Sequence, residues 1–78
     1  MDDIWKDSKD FKHKVINAIL ITSQESIDEA LEELNILLNN PQDCGTPYEV
    51  VETIYQRLEE ISINTMNMTT IAKYYGHV

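Results

Sequence analysis

Apolar side chains recur every three or four residues along nearly the whole chain, and only two glycines and two prolines punctuate it. That spacing lays them on one face of a helix, whereas a half-buried strand needs alternation with a period of two, which no β-rich run sustains here. The chain therefore reads as all-α. Phe11, Val15, Ile16, Ile19 and Leu20 predict a first helix from about residue 3 or 8 to residue 21, with Ile4 and Trp5 extending its face. The polar stretch Thr22-Ser23-Gln24-Glu25-Ser26 then interrupts the stripe. It offers two overlapping capping boxes, Thr22 with Glu25 and Ser26 with Glu29, so a second helix is expected to start there.

The second helix carries a broad apolar face of Ile27, Ala30, Leu31, Leu34, Leu37 and Leu38, with Asp28, Glu29, Glu32 and Glu33 on its other side. Asn39-Asn40-Pro41 ends it, and residues 41 to 46 have the composition of a tight loop. Thr46, Pro47 and Glu49 form the clearest start signal: a capping hydroxyl, a proline where its missing N–H costs nothing, and the acid that completes the box. Val51, Ile54, Tyr55, Leu58 and Ile61 carry this third helix to about residue 62. Asn64, Thr65, Asn67, Thr69 and Thr70 are modest helix formers, so only a short fourth helix is expected, from about residue 67 to 75. Gly76 would give it a left-handed stop. The expected architecture is one domain over residues 1 to 78, a compact up-and-down bundle of three longer helices plus a short C-terminal fourth.

A chain of 78 residues buries only about 60% of its unfolded surface, so it is marginally stable alone and gains from a partner. Its single cysteine, Cys44, closes no intramolecular disulfide and fits a reducing compartment. The N-terminus mixes acids and lysines where an export signal would be basic and then apolar. The longest apolar run, Ala18-Ile19-Leu20-Ile21, falls far short of the roughly 20 residues that span a bilayer. The expected setting is cytoplasmic, without a membrane.

The net charge of −8 is unevenly placed. Residues 1 to 22 are neutral, with four acids and four lysines, whereas residues 23 to 62 hold ten acids against Arg57 alone. Such a field repels phosphate backbones and steers basic surfaces inward, which argues against direct nucleic-acid binding and for a basic protein partner. Catalysis finds little footing. Only His13 and His77 could serve a nucleophile, the first between Lys12 and Lys14 on a solvated face and the second next to the C-terminus. No Cys or His pair has metal-ligand spacing, residues 28 to 33 lack the order of a calcium loop, and no Gly-rich phosphate loop is present. The reading is a non-enzyme without cofactors or metals.

Two features bear on partners. Tyr48, Glu52, Tyr55 and Glu59 form a stripe of rigid amphipathic rings and negative charge, and Glu25, Asp28, Glu29, Glu32 and Glu33 could extend the negative surface. Tyr55 also lies close enough to the apolar stripe to serve as its margin. The segment Thr70-Ile71-Ala72-Lys73-Tyr74-Tyr75-Gly76-His77-Val78 is similar to the first helix and turn of a helix-turn-helix motif, without the recognition helix that would enter DNA. In general character the chain is similar to small acidic helical immunity proteins, though it shares no motif with them. The expected function is an inhibitor, of the immunity-protein, antitoxin or phage type, that blocks a basic and nucleic-acid-handling protein. A dimerising assembly module and a truncated helix-turn-helix regulator stand as alternatives.

Overall fold

The computed structural model describes residues 8 to 76, and Ile4, Trp5, His77 and Val78 lie outside that range. Two α-helices make up nearly all of it: α1, Ser8–Asn39, and α2, Pro47–Tyr75, joined through a single 3₁₀ turn, Pro41–Asp43. They run antiparallel as one long hairpin. Its radius of gyration is 17.5 Å, against about 11.5 Å for a compact chain of this length. The expected bundle of three helices and a short fourth is thus overturned: the helices are long and the molecule extended.

The error lay in reading polar residues as breaks. α1 continues straight through residues 22 to 26, and neither capping box there is realised as a helix start. Ile16, Leu20, Ser23, Ile27, Ala30, Leu34 and Leu37 follow one another at alternating steps of four and three, and all are buried or half-buried. Those are the a and d positions of a heptad, the seam along which two helices pack. Ser23 occupies a seam position, so its polarity marks a small residue between the helices and not a gap.

α2 behaves likewise. Val50, Ile54, Arg57, Ile61, Asn64, Met68 and Ile71 repeat the same steps and are buried or half-buried, so the expected third and fourth helices are one. Two polar side chains of α2, one of them the Asn64 read as a modest helix former, bond back to the turn before them. Asn64 donates its side-chain N–H to the Glu60 carbonyl at 2.8 Å, and Thr53 donates its hydroxyl to the Glu49 carbonyl at 2.9 Å.

The loop and the start of α2 match expectation. Asn39 ends α1, and Thr46 and Glu49 cap α2 reciprocally, Glu49 N–H donating to Thr46 Oγ1 at 3.3 Å and Thr46 N–H to Glu49 Oε2 at 3.4 Å. Gly45 stands at φ 135°, where a side chain would be strained and a Cβ would meet the Glu49 carboxylate. Gly76 does not make the left-handed stop expected of it: at φ −72° and ψ −10° it stays right-handed, its N–H donating to the Ala72 carbonyl. The segment compared with a helix-turn-helix motif is consequently the end of a 29-residue helix.

Candidate partner-binding surface

The heptad assigns each candidate residue a side. Positions f point away from the opposite helix, e and g flank the seam, and reversal of the second helix brings e beside e and g beside g. Glu25 and Glu32 are f residues of α1, and Glu52 and Glu59 are f residues of α2; all four are exposed. They form two acidic strips on opposite outer edges of the hairpin. The structure therefore puts Glu25 with Glu32 and Glu52 with Glu59 but keeps the two pairs apart, while Asp28 falls at a b position and Glu29 at a c position. Tyr48 and Tyr55, at b positions one step from the α2 strip, are largely exposed, so Tyr55 does not line the core. Asp28 accepts a hydrogen bond from Gln24 Nε2 at 3.0 Å, within its own helix.

Glu33 is set apart from its neighbours by Arg57. The guanidinium leaves a seam position of α2 toward the g flank, where its NH1 group donates to Glu60 Oε2 at 2.8 Å. Its Nε lies 2.7 Å from Glu33 Oε2, an ion pair between the helices, but off the N–H direction that a hydrogen bond requires. The hydrogen bond to Glu60, followed by the field of Glu33, raises the Arg57 pKa against an opposing desolvation cost. The only cation between residues 23 and 62 is thus spent inside the hairpin, and the f strips have none beside them in that stretch.

Between residues 17 and 72 the e positions of the other flank carry no charge. They are Asn17, Gln24, Leu31 and Leu38 on α1, and Val51, Leu58, Thr65 and Ala72 on α2, every one of them exposed. Leu31, Leu38, Val51 and Leu58 are 46%, 63%, 51% and 46% exposed, and Leu38 and Val51 line an apolar hollow at the loop end with Leu37, Pro41, Pro47 and Val50. The sequence places Leu31, Leu38, Val51 and Leu58 on the apolar faces of their helices, beside the residues that are buried. The signal that separates them is the heptad itself, which places them one step outside the seam.

Among the described residues no group of His, Cys, Asp and Glu is arranged to hold a metal ion, and no helix is long and apolar enough to cross a membrane. His13 is exposed, as is Cys44, whose Sγ donates to the Asn40 carbonyl at 3.3 Å. Set against known proteins, the chain matches no family model, no curated protein and no solved structure.

Proposed function

We propose that this chain is a non-enzymatic, cytoplasmic protein-binding hairpin that neutralises or inhibits a basic protein partner, one whose own positive surface serves nucleic-acid handling. One observation carries the reading: Arg57 is turned into the hairpin against Glu33 and Glu60, leaving Glu25, Glu32, Glu52 and Glu59 as uncompensated negative strips. Uncompensated charge along a rigid helix raises the encounter rate with an oppositely charged surface and suppresses binding to phosphate backbones. Tyr48 and Tyr55 beside the α2 strip supply contact area with little conformational entropy to lose, as residues at the centre of interfaces do.

Tagged full-length protein captured from its native lysate, with elution by salt, tests this reading. A basic partner should bind at low ionic strength and leave as salt rises. Two charge reversals then say which edge binds: Glu52→Lys with Glu59→Lys, and Glu25→Lys with Glu32→Lys. One pair is expected to weaken capture by about tenfold or more at low salt, with helicity by circular dichroism unchanged. Capture indifferent both to salt and to the two reversals would sink the proposal.

A further inference from the structure

The two flanks of the hairpin's seam are covered unequally. At the g flank Ile19, Ser26 and Thr53 are half-buried, whereas at the e flank Leu31, Leu38, Val51 and Leu58 stand in water. A two-helix pair needs apolar residues only at a and d, and the wider a, d and e pattern belongs to helices packed against neighbours on two sides. We infer that the e flank is the seat of a second copy of this chain, two hairpins packing their uncharged flanks together as a four-helix bundle.

Area and charge both select that occupant. The chain exposes 6223 Å², whereas a compact monomer of 9.0 kDa exposes about 4,900 Å². That excess, roughly 1,300 Å² per chain, belongs to the whole elongated hairpin, and covering it on two chains would bury an area within the range of obligate homodimers. Two chains of charge −8 repel, and they meet at least cost where acids are fewest. The e positions from residue 17 to residue 72 hold none, while the acidic f strips point away and stay open to a basic protein. The two columns of the flank also suit a two-fold axis, since α1 offers leucines at two levels and α2 offers Leu58 and Val51 at the same levels in reverse order.

Sedimentation velocity and thermal melts of the full chain test this over about 1 µM to about 200 µM protein, in about 50 mM and about 500 mM NaCl. A dimer that tightens with salt is expected, because screening removes repulsion between like charges, and its melting temperature should climb with protein concentration. Leu31→Glu with Leu58→Glu should weaken association by more than about a hundredfold. Ile36→Glu with Ile63→Glu, equally exposed but beyond the g flank, should leave it intact. A single-chain mass and a concentration-independent melt up to the highest concentration would overturn the proposal, whatever the variants do. So would a dimer that survives Leu31→Glu with Leu58→Glu, or one abolished only by the Ile36 and Ile63 pair.

Discussion

The two flanks of the hairpin stand in the same relation to its seam and have opposite chemistry. On the g side, Glu33 and Glu60 hold Arg57 between them, a flank finished with charge and half-covered by its own helices. On the e side the corresponding positions near the loop are leucine and valine, and water reaches all of them. Flanking positions of a free-standing helix pair usually carry charges that set partner and orientation. One flank here follows that rule and the other breaks it, so the pair is a completed structure on one side and an unfinished one on the other.

Adjacent leucines offer the hardest test of that difference. Leu37 is 8% exposed in the seam and Leu38 is 63% exposed on the e flank. Leu37→Ala should cost about 2–5 kcal/mol in chemical denaturation at any protein concentration, because it opens a cavity between the helices. Leu38→Ala should cost under about 0.5 kcal/mol in dilute protein and more as the concentration rises. Equal costs at high dilution would erase the distinction between seam and flank.

A smaller effect is expected where charge enters the seam from the g side. Arg57→Met places a flexible apolar side chain among Ile54, Ile61 and the facing helix, and frees Glu33 and Glu60, both half-exposed, to hydrate. The melting temperature should rise modestly. Since the folded pKa of Arg57 is raised above its unfolded value, its stabilisation is fully present below that value and fades only at strongly alkaline pH. The difference between Arg57→Met and the parent chain should accordingly be the same at about pH 6 and about pH 9, while salt narrows the parent's ion pairing. A lowered melting temperature would mean that the charged flank holds the hairpin together more than the seam residue disturbs it.

How much of this was legible in the sequence depends on whether a signal is local. Thr46, Pro47 and Glu49 satisfy one another within four residues, and Asn39-Asn40-Pro41 stops a helix through backbone constraints alone, so both boundaries could be read directly. Continuity through residues 22 to 26 and 62 to 67 could not. It depends on α1 and α2 supplying a seam for Ser23 and Asn64, two polar residues whose local preference is for caps and turns. Accepting Ser23, Arg57 and Asn64 as seam residues would have exposed the strict alternation of four and three, and with it the hairpin. That Glu52 and Glu59 share an exposed edge with Tyr48 and Tyr55 beside it was legible from their spacing. The sidedness of the acidic surface was not, because where the two pairs of acids lie relative to each other is fixed only by the register of one helix on the other.

The least of the expected effects concerns how the charged flank ends. Lys12 falls at a g position near the open end, and its Nζ stands 5.5 Å from the ring centre of Tyr75, in the last turn of α2. Where Arg57 closes that flank near its middle with carboxylates, Lys12 closes it with an aromatic face, a contact worth about 0.5–1 kcal/mol at an exposed site. Lys12→Met keeps most of the side chain's apolar stem and removes the charge. Amide exchange should quicken in the last turn of α2 by about two- to fivefold, with no change around Val50 or Leu37, since fraying at one end leaves a distant seam layer untouched. Association through the e flank should not move, because Lys12 is on the other side of the seam. If dimer affinity fell with this one substitution, the two flanks would be coupled through the hairpin's open end, and treating one as complete and the other as unfinished would no longer hold.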